Sequence, residues 1–278
     1  MTFTPKQITK YQAEHLAELQ GGVSETVIKY CLGLIPPFKS GDVIHDNACG
    51  SGAVTKAIMA TKPSGIHIHA TDVNPDFVAG VENSAEENGW PVTTAVMSME
   101  GLTFDNDTFT QSITSFAIHC LGDHSDEAAR RIHRTLKPGG VAVATIWTFM
   151  PHIGALQHAH WRTRGREGPM PTLLPLESFQ EADLRATLQA GGFEPENITY
   201  TSATAHLTVP PNGLKRWAQL AWSYLGVRPS GWSQSDEDRW DEAIDDTVEQ
   251  LQSGEGITVD VNGETIMEMR AVVAVAKK

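Results

Sequence analysis

Val43-Ile-His-Asp-Asn-Ala-Cys-Gly-Ser-Gly-Ala-Val-Thr-Lys56 is the stretch whose reading decides the fold. A short apolar run, Val43 and Ile44, ends at the acidic Asp46, passes through Gly50 and Gly52, and gives way to helix-favouring residues from Ala53. This is a strand, a tight turn and a helix start. In a doubly wound α/β sheet, ligands sit beyond the carboxyl ends of the strands, and glycines in the first turn let a ligand approach the backbone closely. The helix N-terminus past Gly52 leaves unpaired N–H groups aimed at such a ligand. The stretch therefore predicts a site for something small and partly anionic.

Working outward, strand, turn and helix signals alternate. The spacing predicts strands at about 42–46, 65–71, 92–97, 111–116 and 141–147, with helices to about 60, from Asn74-Pro75 to 88, and over 125–136. Toward the N-terminus, helices are expected over 5–20 and from a Ser24 N-cap to about Leu32. Residues 148–177 lack periodicity and read as a long loop with at most a short helix near 155–162. A helix over 178–190 follows, with Ser178 and Glu181 in capping-box spacing, then a strand at 198–209 and helices near 214–225 and 235–252. Strands near 256–261 and 264–275 flank Asn262-Gly263, a hairpin signal. Crossovers of this length predict an α/β fold: a doubly wound, mostly parallel, seven-stranded sheet with helical lid insertions. One domain over 1–278 is expected, with lid helices in 1–40, a cofactor-binding core in 41–147, and insertions at 148–177 and 213–253.

Composition narrows the partners. A net charge of −13, with 21 Lys and Arg scattered among 278 residues, argues against a nucleic-acid surface. Three cysteines, Cys31, Cys49 and Cys120, with no C-x-x-C pair suit a reducing compartment. The N-terminal residues carry no apolar leader core, and no apolar run approaches a membrane span. A soluble, cytoplasmic protein without a membrane partner is the expectation; the sequence does not speak to oligomeric state.

Two cofactor classes use a glycine turn followed about twenty positions later by an acidic residue. The dinucleotide fingerprint wants a third glycine or alanine that Gly50 to Thr55 does not supply in place. The alternative pattern, acidic-x-G-x-G-x-G, fits Asp46 to Gly52 except that Ala48 stands for the first glycine. Here the chain resembles the class I S-adenosylmethionine-dependent methyltransferases. Three further elements follow in the same order: Asp72 closing strand 2, Ser98-Met-Glu-Gly-Leu-Thr-Phe104 running to Phe109, and Leu136-Lys-Pro-Gly-Gly140 before an apolar strand. Together they cover about residues 40–147, and the order of blocks is most similar to the ubiquinone/menaquinone-biosynthesis group and to fungal secondary-metabolite methyltransferases.

The resemblance implies S-adenosyl-L-methionine as cofactor, with S-adenosyl-L-homocysteine as product. By it, Asp46, Ala48, Gly50 and Gly52 line the methionine end; Asp72, Val73 and Asn74 meet the ribose and adenine; Ser98 and Met99 meet the adenine edge. Ser98 stands where the family often has Asp. Ser115 and Phe116 face the sulfonium, and Tyr11 covers the cofactor carboxylate.

His119, three residues past Phe116, is the one evident general base near that strand end, and a packed or capping histidine is the competing reading. His152, His158 and His160 make no recognised zinc spacing, so no metal is expected. Phe116, His119, Trp147, Phe149, Trp161 and Trp222 are the candidate acceptor contacts, although Trp217 and Trp222 at helical spacing also read as packing. The aromatic set favours an apolar, ring-bearing acceptor. The chain is similar to fungal enzymes that S-methylate epidithiodiketopiperazine dithiols, which makes a thiol acceptor the sharpest expectation. O- or C-methylation of a polyketide or quinone stands beside it, as does a cofactor-binding scaffold or pericyclase-like protein without methyl transfer.

Overall fold

In the computed structural model, which describes residues 3–10, 13–174 and 179–278, helices α1 (Ala13–Gln20) and α2 (Val23–Leu32) precede β1 (Val43–Asn47). The glycine turn then leads into α3 (Ala53–Ala60), followed by β2 (His67–Asp72), α4 (Pro75–Asn88) and β3 (Val92–Val96). A single helical turn at Met99–Gly101 precedes β4 (Phe109–Ser115), α5 (Ser125–Thr135) and the long β5 (Leu136–Phe149). The remainder is α6 (Pro151–Arg164), α7 (Glu181–Ala190), β6 (Ile198–Val209), α8 (Leu214–Leu225), α9 (Gln234–Asp238), α10 (Trp240–Gln250), β7 (Ile257–Val259) and β8 (Thr265–Lys277).

The strands form one sheet in the order β3-β2-β1-β4-β5-β8-β6, with β7 added antiparallel on β8. β1 runs parallel to β2 and β4, β2 to β3, and β4 to β5. Gly139 and Gly140, early in β5, exchange backbone hydrogen bonds with Lys278 just past β8, so β8 runs against β5. This is the doubly wound, mostly parallel sheet that the sequence predicts, with seven strands on the main path. Its order reverses at β1, and β4 lies on the far side from β2, so the carboxyl ends of β1 and β4 flank the crevice where such folds bind ligands.

The chain divides into two compact units, one of residues 1–23, 149–178 and 204–270, the other of 24–148, 179–203 and 271–278. The second holds β1 to β5. Its core joins Phe109, Ile132, Leu136, Ala142, Ile146, Leu188 and Phe193. The first is built on α6, α8 and α10, with Trp217, Trp222 and Trp240 buried. No helix among the described residues is long and apolar enough to cross a membrane.

Five expectations change. Ser24, expected as an N-cap, is the second residue of α2, which begins at Val23. Residues 5–10 are not helical, because their backbone is engaged elsewhere: Lys6 N–H donates to Glu237, Thr9 N–H to the Ser223 hydroxyl, and Lys10 C=O accepts from Tyr224. Tyr11 lies outside the described residues. The stretch expected as a loop carries the fourteen-residue α6, whose buried His152, Ala155, Leu156, Ala159, His160 and Thr163 recur at helical spacing. The helix α7 is capped by Gln180 and Asp183, three residues apart, and Ser178 lies outside the described residues. The acidic helix breaks at Arg239, whose guanidinium holds the carbonyls of Arg162 and Thr163 and the carboxylate of Glu242.

Candidate active site

The carboxyl end of β1 carries a fully buried acid. Asp46 accepts two hydrogen bonds on Oδ2, from the Thr55 N–H at 3.0 Å and its hydroxyl at 2.6 Å, which ties the strand end to the first turn of α3. Burial is the main influence on its carboxyl and pushes the pKa up to about 6, with the Thr55 bonds pulling it down and the charge of Asp72 adding to the rise. Asp46 Oδ1 and, on the next residue, Asn47 Oδ1 are buried acceptors without a partner. Asn47 is held from its other side by Nδ2 donating to Thr114 of β4 at 3.1 Å.

The turn that follows needs left-handed backbone. Ala48, Gly50 and Gly52 have φ of 57°, 50° and 81°. A side chain at such a φ costs roughly 1–2 kcal/mol, which explains why the family pattern has glycine where this chain has Ala48. The alanine adopts the same class of conformation, so its presence leaves the turn's shape intact. A Cβ added at Gly50 would meet nothing within 4 Å, whereas one at Gly52 would come within 3.0 Å of Val81. Cys49, between Ala48 and Gly50, is buried against Ala70 and Val81, and burial raises its thiol pKa, so it fills space and is not a thiolate at neutral pH.

Asp72 at the end of β2 closes the other wall. Its Oδ2 accepts from the Gly50 N–H at 2.9 Å and its Oδ1 from the Asn74 N–H at 2.8 Å. Asn74 in turn caps α4 by accepting from the Asp76 N–H. Val73 projects into solvent, 70% exposed. Beyond β3, the Ser98 hydroxyl donates to Glu100, and that bond is the main reason the Glu100 carboxyl is held below its usual range. An acid thus stands two residues past Ser98 and is hydrogen-bonded to it. Met99, the first residue of this turn, is buried.

At the end of β4, Phe116 has φ of 54°, an uncommon conformation for an aromatic residue. Its ring stacks on Trp147 with centroids 4.0 Å apart and planes within 2°. Ser115 pairs across the ladder with Thr145. His119 sits in the short helix that follows, its ring 4.6 Å from that of Phe179. Burial lowers its pKa, so the imidazole is neutral at pH 7, and its Nδ1 has no partner.

The other expected residues lie in the helical unit. Phe149 faces the Arg270 guanidinium and Trp161 that of Arg166. Trp222 is 1% exposed beneath Arg164 and edge-to-face with Trp232, so its ring is used in packing, against its expected role as an acceptor contact. His152 packs on Trp217, His158 bonds Asp246, and His160 bonds Arg164; they are three separate contacts, not a ligand set. Three residues matter here that motif reading does not find: Thr55, Glu100 and Thr145. The signal for the last is a lone hydroxyl inside the apolar run Val141–Trp147.

The residues present fit an S-adenosylmethionine molecule. Orphaned acceptors on Asp46 and Asn47 suit its ammonium group, the open face of Gly50 admits a ligand against the backbone, and Asp72 retains acceptor capacity for ribose hydroxyls. Sheet order, glycine turn and acidic pair together define a Rossmann-like α/β fold. Residues 44–140 match the family described as "Methyltransferase domain". The enzyme class that this domain defines is S-adenosylmethionine-dependent methyl transfer, with S-adenosyl-L-methionine as cofactor.

Among characterised sequences the chain is similar to methyltransferase tpcH of Aspergillus fumigatus, 24% identical over 182 residues that make up 62% of this chain and 64% of that protein. That match spans just under two thirds of the relative's length. Methyltransferase ktnA of Aspergillus niger is 23% identical over 269 residues, 85% of this chain and 84% of that one. Among solved structures, YcgJ of Bacillus subtilis has a TM-score of 0.58 at 16% identity, over 92% of this chain and 97% of its own, a likeness of fold.

Proposed function

We propose that the whole chain methylates a small, largely apolar natural product, and that the acceptor atom is the sulfur of a dithiol of the epidithiodiketopiperazine type. The observation that carries the apolar part is the Phe116–Trp147 stack, just past β4 and near the end of β5: two flat aromatic planes with no charge of their own. The fungal origin of the two similar methyltransferases supports a secondary-metabolite setting.

When bound, S-adenosylmethionine supplies a methyl group on a positively charged sulfur, open to in-line displacement by an acceptor. Asp46, Asn47, Gly50 and Asp72 bind and orient that donor, while Phe116 and Trp147 exclude water from the transfer path. A thiol is partly ionised near neutral pH and needs little help in losing its proton. His119, neutral and with a free ring nitrogen, is the group to receive the proton of a less acidic acceptor, which supports phenol O-methylation as the second reading. The left-handed Ala48 speaks against a chain that has lost its cofactor, the scaffold or pericyclase-like alternative.

The test is incubation of the purified protein with S-adenosylmethionine and either an aromatic dithiol or a matched phenol, with products weighed by mass spectrometry. Thioether formation from the dithiol supports the proposal; methylation of the phenol alone moves the acceptor atom to oxygen.

A further inference from the structure

We infer that Thr145 is a positioning residue for acceptor binding, acting through Phe116. The inference rests on the reading that Phe116 lies at the transfer site. Thr145 and Trp147 are two apart in β5 and so project from the same face of the sheet. Phe116, at the neighbouring strand end, is held by both. Its N–H donates to the Thr145 carbonyl at 3.1 Å and to the Thr145 hydroxyl at 3.0 Å, and its ring lies flat on Trp147. The Ser115 hydroxyl completes the contact, 3.4 Å from the same Thr145 oxygen.

The arrangement has a reason. Phe116 sits at φ 54°, where bulky residues rarely stay unless the surroundings over-determine them. In a regular continuation of β4, the N–H would meet the ladder carbonyl alone and the ring would alternate to another direction. The buried hydroxyl of Thr145, 1% exposed inside an otherwise apolar run, provides a second acceptor at the point where the strand turns away. Thr145 thereby fixes the backbone and Trp147 fixes the ring, and the resulting flat pair is the surface on which an acceptor ring is aligned. Neither hydroxyl nor backbone contact extends to the groups that hold the donor, Asp46, Gly50 and Asp72.

The experiment compares wild type with Thr145→Val, Thr145→Ala and Thr145→Ser. In Thr145→Val a methyl replaces the acceptor 3.0 Å from the Phe116 nitrogen, inside van der Waals contact, so the turn must shift; Thr145→Ala removes the hydroxyl without the clash; Thr145→Ser keeps it. The readouts are amide hydrogen exchange at Phe116, calorimetric affinity for S-adenosylhomocysteine, and kcat and KM for 1,4-benzenedimethanethiol against dithiothreitol. Expected for the Val and Ala variants are about tenfold faster exchange at Phe116, about a fivefold or greater rise in KM for the aromatic dithiol, a KM for dithiothreitol near wild type, and homocysteine-product affinity within twofold. Thr145→Ser should match wild type. Unchanged exchange in the Ala variant, or equal losses for both thiols, overturns the inference. If the wild type methylates neither thiol, the proposed acceptor is wrong, while exchange at Phe116 still decides whether Thr145 holds it.

Discussion

Gly50 donates its backbone N–H to Oδ2 of Asp72 at 2.9 Å, so the glycine turn after β1 and the acidic end of β2 are one structure. Asp72 therefore fixes the turn, and in the proposed function it also presents a carboxylate to the ribose. Replacing it with Ala removes a charged acceptor, an effect worth about 1.5–3 kcal/mol per bond, and leaves Gly50 and Asn74 N–H groups unpaired. We expect S-adenosylhomocysteine affinity to fall by one to two orders of magnitude on that basis, measured by calorimetry. Unchanged affinity would remove Asp72 from the site.

With the proposed cofactor contact at Asp46, binding should be sensitive to pH. Its carboxyl, near 6 when folded, stands above the ordinary unfolded value, so the folded apoprotein holds this proton more firmly than the unfolded chain. The stability from that proton is present below about pH 4 and is lost as pH rises through about 6; two units correspond to roughly 3 kcal/mol. A cationic ligand group has the opposite preference and needs the ionised form. Affinity for S-adenosylhomocysteine should fall as pH is lowered through about 6, by at most about tenfold per unit, and Asp46→Asn should flatten that dependence. A flat wild-type profile between pH 5 and 7 would contradict this.

At Ala48 the substitution Ala48→Gly should stabilise the protein by about 1 kcal/mol, because glycine occupies a left-handed φ without the Cβ penalty, less the extra freedom it gains when unfolded. The check is a higher denaturation midpoint with S-adenosylhomocysteine affinity unchanged. A lower midpoint would show that the alanine methyl contributes packing that outweighs its strain.

The parts of the molecule that were legible in the sequence are those governed by local chemistry. Asn74, Pro75 and Gly89 bracket α4 to the residue, since capping, proline φ and a left-handed stop are read from residue type alone. The turn at Gly50 and Gly52 and the strand end at Asp72 were legible for the same reason. The helix α6 was hidden because its buried stripe includes His152, His160 and Thr163, which a count of apolar residues scores as surface. Residues 5–10 suggested a helix, but partners more than two hundred positions away, Ser223 and Glu237, take their backbone groups. Thr55 and Thr145 act through one hydroxyl each, and no spacing rule singles out such a group before the strands are placed.

Substitution of His119 should separate the two proposed acceptor chemistries. Burial lowers its pKa, so the ring stays neutral at pH 7. With a phenol, His119→Ala should reduce kcat about a hundredfold at pH 7, the usual scale for loss of a general base; with a dithiol the change should stay within a few-fold. Equal effects on both acceptors would assign His119 to packing against Phe179.

The most direct measurement is calorimetric titration of the purified protein with S-adenosylhomocysteine, with NAD and NADP titrated in parallel. The account predicts micromolar binding of S-adenosylhomocysteine and none of either dinucleotide. Binding of a dinucleotide in its place would contradict the reading of the site from Asp46 to Asp72.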